Sequence, residues 1–293
     1  MKPTNQNRSD QCLDIVIVNF NGGHKILDCI NSAIALDDIN QIIVADNGSN
    51  DGSLEELQSI AKQNARVVLV RNAANIGFSA GNNRAIHFLS ASYALFINPD
   101  TLISGDAVRK LLTFMSSDPQ TGMAGPLILN QDGSEQRACR RDEPTPLAAL
   151  KTLVGNREKG INKVGKPLPA GPVEVDAISG ACMLVRREAL EDVGPLDEGY
   201  FLHCEDLDWC KRFWLKGWKV MFLPHVSITH AKGGSSHNRR VRVEWHKHKG
   251  MARYYRKFYT DQYPRILMYG VYAAIWARFF LLTPVWLLQS LRR

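Results

Sequence analysis

Three places in the chain carry side chains whose type and spacing suit chemistry. The first is Asp100, in Asn98-Pro99-Asp100, just after the apolar run 93–97. Proline cannot continue a central sheet ladder, so the run reads as a buried strand that stops there, with a carboxylate at its carboxyl end. Ligands of open α/β sheets bind in the crevice outside those ends. A carboxylate there suits Mg²⁺ or Mn²⁺ holding phosphates as well; the plainer alternative is a helix N-cap. The second is Glu205-Asp206-Leu207-Asp208, heading a predicted helix. Asp206 shares its face with Trp209, Cys210 and Phe213, at i+3, i+4 and i+7. A carboxylate at the head of an apolar stripe is expected to be desolvated, with a raised pKa that makes it a better base. Glu205 and Asp208 are expected to point elsewhere, capping the helix or pairing with Arg212. The third is His230, between an apolar run and the Gly-rich stretch 232–236. It is a candidate to complete a metal site with Asp100 or to hydrogen-bond a diphosphate; a surface histidine is the alternative.

Such groups must be held by regular elements, and the first hundred residues supply them. Strands are predicted at 14–18, 41–45, 66–71 and 93–97, with helices at about 25–36, 53–63 and 80–90 between them. Ser53, with Glu56 three residues on, reads as a capping box. Strands alternating with helices imply βαβ units and a mostly parallel, Rossmann-like α/β sheet. Each strand is followed by a loop rich in Asn, Asp and Gly, which gathers polar groups along one edge, where a nucleotide would sit. Asn19 opens the first of these loops. Asp46 is a candidate acceptor for a base N–H or ribose hydroxyl. Asn75, Asn82 and Asn83 are candidates for ribose or phosphate, and Gly77 and Gly81 allow close backbone approach. Any one of them alone is an ordinary turn residue. Neither a G-x-x-x-x-G-K-[ST] loop nor a G-x-G-x-x-G after the first strand is present, which disfavours P-loop NTPases and Rossmann dehydrogenases.

The second half is less regular. A helix is predicted at 107–115, strands at about 119–129 and 218–223, and a turn at Asp132-Gly133-Ser134. Residues 137–170 read as a long, lid-like loop, in which Arg137, Arg140 and Arg141 are candidates to attract a phosphate or, more plainly, a solvated cluster. Ser179-Gly180-Ala181 precedes a strand, and its small side chains suit either close approach of a sugar or tight sheet packing.

Net charge is +7, unevenly placed: residues 239–293 hold twelve Lys/Arg and two Asp/Glu, leaving the rest at −3. A basic tail on a near-neutral body implies an anionic partner surface. Residues 244–259 mix Lys, Arg, Trp and Tyr in a way that suits lipid headgroups, and the adjoining apolar run 266–288 favours membrane over nucleic acid. As one helix that run reaches roughly 34 Å, enough for a bilayer core. Arg278 near its middle is costly there, so an interfacial or re-entrant helix, a true span and a protein-packed helix all stand open. The polar N-terminus lacks an apolar signal region, and six cysteines without C-x-x-C pairing read as reduced thiols.

Asn19-Phe20-Asn21, the stretch 44–53 (Val-Ala-Asp-Asn-Gly-Ser-Asn-Asp-Gly-Ser), the stretch 75–83 (Asn-Ile-Gly-Phe-Ser-Ala-Gly-Asn-Asn) and Asn98-Pro99-Asp100 together resemble the family 2 glycosyltransferases, and more narrowly their bacterial rhamnosyltransferase branch. The resemblance covers roughly residues 12–260. It implies a GT-A fold, a nucleotide-sugar donor such as dTDP-rhamnose, a divalent metal, inversion at the anomeric carbon, and an acceptor carried on a polyprenyl diphosphate. It also implies that the Ser-Gly-Ala stretch lies beside the acceptor, that the base lies in Glu205-Asp206, and that His230 contacts the metal–diphosphate centre. Where many relatives carry Asp-x-Asp, this chain has a single carboxylate, Asp100.

The reading is therefore a glycosyltransferase domain over residues 1–240 and a membrane-associating tail over 241–293, at the cytoplasmic face of a bacterial plasma membrane, with no nucleic-acid partner. A sugar nucleotidyltransferase is the alternative from another class; its Gly-rich, basic first loop is not matched by residues 19–23, which carry no Arg. A non-catalytic sugar-nucleotide-binding scaffold is the third, and the presence of Asp100, Asp206 and His230 argues against it.

Overall fold

A computed structural model describes residues 13–37, 39–148, 161–231 and 240–291. In the first half, β1 (Leu13–Asn19), β2 (Ile39–Asp46), β3 (Val67–Arg71) and β4 (Tyr93–Ile97) alternate with α1 (Gly23–Ile34), α2 (Ser53–Gln63) and α3 (Phe78–Ile86). Every residue of β1 and of β4 is buried, as expected of parallel strands with helices on both faces. The four pair in parallel in the order β3-β2-β1-β4. Asn19 aligns with Asp46 and Asp46 with Arg71, so the polar loops leave the sheet along one edge. Order reverses at β1, which lies between β2 and β4, and the crevice forms at such a reversal. One local expectation fails. Gly52, at φ +87°, caps α2, and the Ser53 hydroxyl instead donates to Asp51 (2.6 Å) and accepts from Asn19 (3.1 Å).

The second half completes the sheet with mixed polarity. It comprises β5 (Thr101–Leu102), α4 (Gly105–Ser117), β6 (Thr121–Leu129), β7 (Arg140–Arg141), β8 (Val173–Glu174), β9 (Ala177–Ile178), β10 (Cys182–Arg186), α5 (Arg187–Val193), α6 (Glu205–Leu215) and β11 (Lys219–His230). β10 inserts antiparallel between β4 and β6, with Cys182 opposite Ile97 and Leu184 opposite Ala124. β11 runs parallel to β6, and its last residues pair with β5, setting His230 opposite Thr101. Among the described residues this makes a nine-stranded sheet, with β7 and β9 as a separate pair. α6 is seated on the sheet by aromatic packing: Trp209 meets Phe96 edge-on at 5.2 Å and Phe213 at 5.5 Å. Gly122 leaves room for this, since a Cβ there would lie 2.8 Å from the Phe213 ring.

α7 (Arg240–Tyr259) and α8 (Arg265–Leu291) form a hairpin. Trp245 packs on Trp276 and Phe279, His248 on Phe279 and Trp286, and Arg240 bonds Gln289, so the helices run antiparallel. Arg278 is turned inward, 3.1 Å from His248 Nε2. α8 is long and apolar enough to cross a membrane by length and composition. One side of it is nevertheless buried (Met268, Val271, Phe279, Trp286), while Ile266 (83% exposed), Phe280, Leu281 (76%) and Leu288 stand bare.

Candidate functional site

The loops at the carboxyl edge are cross-linked to one another. Asp46 Oδ1 accepts from the Gly48 and Ser49 amides, both at 3.0 Å; Oδ2 accepts from the Ser49 hydroxyl at 2.6 Å and from Asn19 Nδ2 at 2.8 Å. Four donors occupy the four lone-pair directions of a carboxylate, so Asp46 shapes its loop, and a nucleotide would reach it only by displacing one of them. Asn83 is likewise consumed: its amide bonds both the carbonyl and the N–H of Leu196, and Glu198. Asn82 bonds the Phe78 carbonyl. Gly81 is small because Val18 lies against it, 2.8 Å from a Cβ. Gly77, at φ +93°, is glycine because a Cβ would meet the Phe201 carbonyl at 2.7 Å. These positions, expected to meet a ligand, are used for packing. Two groups at the edge remain open. Asn19 Oδ1 is buried with no partner, and a Cβ at Gly22 would fill the space 2.5 Å from it. Asn75 spends its carbonyl oxygen on the Gly77 amide at 3.0 Å; no partner for its amide nitrogen is found among the described residues.

Asp100 and His230 meet because β5 pairs with the end of β11. His230 Nε2 lies 2.8 Å from Asp100 Oδ1 and 3.2 Å from the Asn98 amide nitrogen. Its Nδ1 lies 2.6 Å from Gln136 Oε1. The Gln136 nitrogen donates to the Asn130 side chain and to the His230 carbonyl, which fixes its oxygen toward the imidazole. Gln136 orients the ring so that Nε2 faces Asp100 and Asn98. A proton on Nε2 would pair it with Asp100; without that proton, Nε2 and Asp100 Oδ1 form a donor set that fits a divalent ion whose imidazole ligand is oriented from behind by a second residue. No group of three or more His, Cys, Asp and Glu is found among the described residues, which offer two ligands here. Mg²⁺ and Mn²⁺, which take further oxygens from phosphates and water, suit that shortfall. The Gly-rich stretch 232–236 lies outside the described residues, as do residues 149–160 of the expected lid.

The acidic pair is arranged differently from its sequence reading. Asp206 does not have a raised pKa. Burial alone would raise it, but the Arg141 guanidinium more than offsets this and holds it below the usual carboxylate range. Arg141 donates to Asp206 Oδ2 at 2.7 Å, and so does the Gly180 amide at 3.1 Å. Glu205, expected to cap the helix or pair with Arg212, is instead buried, with no countercharge of its own among the described residues. It is 6% exposed, and its Oε2 is buried without a partner. Burial, then the Asp206 charge, push its carboxyl well up. Asp208 is fully buried between Arg212 (2.7 Å) and Lys257 (2.6 Å) of α7. The backbone entering α6 is strained, with His203 and Cys204 both left-handed at φ +69° and +71°; consecutive non-glycine residues of that kind cluster at functional sites.

The acid and metal positions are adjacent through two residues. Gly180 donates to Asp206, and the next carbonyl, Ala181, accepts from the Asn98 amide at 3.1 Å, one turn from Asp100. Arg140 and Arg141, read as solvated, are both buried. Arg140 pairs with Glu135, and β7 against β9 delivers Arg141 to Asp206. Sequence reasoning missed Arg141 and Gln136. A two-residue strand has no period, and the Arg141 pair spans 65 positions. The described cysteines are buried free thiols, with burial pushing Cys139 up to about 11 and Cys29 and Cys210 up to about 12. They are structural.

A family model described as glycosyl transferase family 2 matches residues 14–194. The chain is 27% identical over 247 residues to N-acetylglucosaminyl-diphospho-decaprenol L-rhamnosyltransferase of Mycobacterium tuberculosis, covering 76% of this chain and 77% of that one. It is 27% identical over 225 residues to rhamnosyltransferase WbbL of Escherichia coli K12, covering 74% and 82%. Among solved structures it is similar to GalNAc-T7 with UDP, GalNAc and Mn²⁺, at TM-score 0.60, 18% identity, and 79% and 47% coverage. It is also similar to the mannosyltransferase PcManGT of Pyrobaculum calidifontis with GDP-Man and Mn²⁺, at TM-score 0.59, 16% identity, and 96% and 73% coverage. These two likenesses concern the fold, which is GT-A-like.

Proposed function

The chain belongs to glycosyltransferase family 2, and from that premise we propose that it is an inverting transferase moving L-rhamnose from dTDP-rhamnose to a hydroxyl of a polyprenyl-diphosphate-linked saccharide in cell-surface polysaccharide synthesis. The observation that supports the mechanism is the short bridge from Asp206 through Gly180 and Ala181 to the Asn98–Asp100 turn, which connects the carboxylate read as the base to the turn read as the diphosphate site. The named rhamnosyltransferase relatives support the donor, and the diphospho-decaprenol in one relative's name supports the acceptor class.

Asp206 takes the acceptor's proton as its oxygen attacks the anomeric carbon. An inverting displacement needs the base on the face of the sugar opposite the leaving group, the place this reading gives Asp206. Arg141 and the Gly180 amide keep Asp206 ionised and aimed. Glu205, held neutral by burial, places no second negative charge beside it. Asp100 and His230 would hold Mg²⁺ or Mn²⁺, which when bound neutralises the departing diphosphate. Asn19 and Asn75 have polar atoms left for the nucleotide. Residues 1–240 act as the transferase domain, and 241–293 associate with the cytoplasmic face of the bacterial plasma membrane, the bare side of α8 lying in the interface.

The test separates the two carboxylates. Asp206→Asn keeps shape and is expected to lower transfer about 10²- to 10⁴-fold with donor affinity retained. Asp100→Ala is expected to weaken donor binding and its metal dependence together. Calorimetry with dTDP-rhamnose and Mn²⁺, beside a transfer assay, reads both. Unchanged turnover in Asp206→Asn would reassign the base.

A further inference from the structure

Away from the catalytic crevice, α7, α8 and the loop 194–204 enclose a groove of about 550 Å³. Lys249, Arg253, Arg256 and Lys257 line it with Trp245 and Trp276. Two of these cations are pinned. Arg253 forks onto Asp197 at 2.7 and 3.0 Å and lies 5.5 Å over the Tyr200 ring. Gly199 makes room for it, since any Cβ there would overlap the guanidinium. Lys257 bridges Asp197 (2.9 Å) and Asp208 (2.6 Å). The other two, Lys249 and Arg256, are exposed and have no partner among the described residues. Lys249, Arg253 and Arg256 follow at i, i+4 and i+7, so three like charges share one helical face. Such repulsion destabilises a helix unless an anion relieves it. The groove is tied to α6, which carries Asp206, through Lys257–Asp208, and Trp276 of the apolar α8 forms part of its wall. The paired indoles, 4.9 Å apart, are suited to a membrane–water boundary.

We propose that this groove binds the diphosphate of the lipid-linked acceptor, so that the polyprenyl chain follows α8 while the saccharide extends toward Asp206; this rests on the acceptor class proposed above. With Arg253 and Lys257 already paired to Asp197 and Asp208, Lys249 and Arg256 leave two positive charges, which a diphosphate neutralises more fully than a single phospholipid phosphate does. The indoles cover the adjoining isoprenoid.

The experiment uses the full-length chain and vesicle flotation without donor. Phosphatidylcholine vesicles carry either undecaprenyl diphosphate or phosphatidylglycerol at matched charge. Wild type is expected to prefer the diphosphate vesicles. K249Q/R256Q is expected to lose roughly 10- to 30-fold in binding to them, with a smaller loss on phosphatidylglycerol. K249R/R256K, which keeps both charges, is expected to retain the preference. Wild-type binding of the diphosphate by K249Q/R256Q, or an equal loss on both lipids, overturns the proposal. A chain that binds the diphosphate through these residues yet transfers to no diphosphate-linked saccharide supports the site and defeats the acceptor reading, so the two are tested apart.

Discussion

At residue scale, the acidic pair works by division of charge. Arg141 keeps Asp206 anionic, and burial keeps Glu205 neutral. Removing the guanidinium in Arg141→Met is expected to raise the Asp206 pKa and shift the acid limb of the kcat/KM–pH profile upward by about one unit or more. Arg141→Lys should restore part of it. An unmoved acid limb would show that Arg141 only braces β7. Glu205 gives a second prediction, with its sign fixed by linkage. Its carboxyl is pushed up to about 8 when folded, against 4.5 when free. Between those values the folded chain holds a proton that the unfolded chain has released. Its contribution to stability is therefore present at low pH and is lost as pH rises through that window, by at most about 1.4 kcal/mol per pH unit. Glu205→Gln should flatten the fall in Tm between pH 6 and pH 8.5, as measured by differential scanning calorimetry; parallel curves for variant and wild type would sink the assignment.

At the scale of elements, the catalytic helix is held by the donor-side loop. The Phe78 amide donates to the Phe201 carbonyl at 2.8 Å, and Gly77 lies directly beneath that residue. On the other side, Gly250 of α7 lets His203 and Cys204 sit in their strained turn, since a Cβ there would lie 2.9 Å from the His203 carbonyl. Gly77→Ala adds a left-handed strain cost of about 1–3 kcal/mol and must push Phe201 and the entry to α6 aside. The expected result is a lowered Tm with kcat reduced more than donor affinity, read by thermal melts and by donor titration. A variant with normal kcat would show that the Phe201 loop tolerates displacement. Asp208 pairs with Arg212 as its i,i+4 spacing suggests, and Lys257 of α7 adds a partner that the spacing does not show. As a buried ion-pair hub between α6 and α7 it is structural, and its substitution acts on stability first.

At the scale of the molecule, the hairpin of α7 and α8 carries the face proposed to meet a membrane. Deleting the chain after residue 261 would also uncover the Trp245 and His248 side of α7, which α8 covers. A cleaner test substitutes serine at Ile266, Phe280, Leu281 and Leu288, which point away from α7. This variant is expected to move from the membrane pellet to the supernatant, a drop in partition of 10-fold or more given about 0.8 kcal/mol per CH₂ removed from lipid. Turnover of a short soluble acceptor should survive. Continued sedimentation with membranes would place the anchor elsewhere.

The sequence by itself determined the alternating strands and helices of the first hundred residues, because periodicity and strand-ending Asn, Asp, Gly and Pro are local signals. It also marked Asp100, His230 and the Glu205-Asp206 pair as candidate groups, since carboxylate and imidazole types are visible without coordinates. It could not determine which carboxylate is charged. Helical phase placed Asp206 on the apolar stripe, yet the dielectric and the countercharge around it come from β7 and from Gly180, which are distant in the chain. For the same reason, the hydrogen bonds by which Asp46 and Asn83 also hold their loops together were not legible in the sequence. Likewise Arg141 read as solvated until β9 brought it to the base. Burial and partner identity depend on residues tens of positions apart, and only the folded packing decides them.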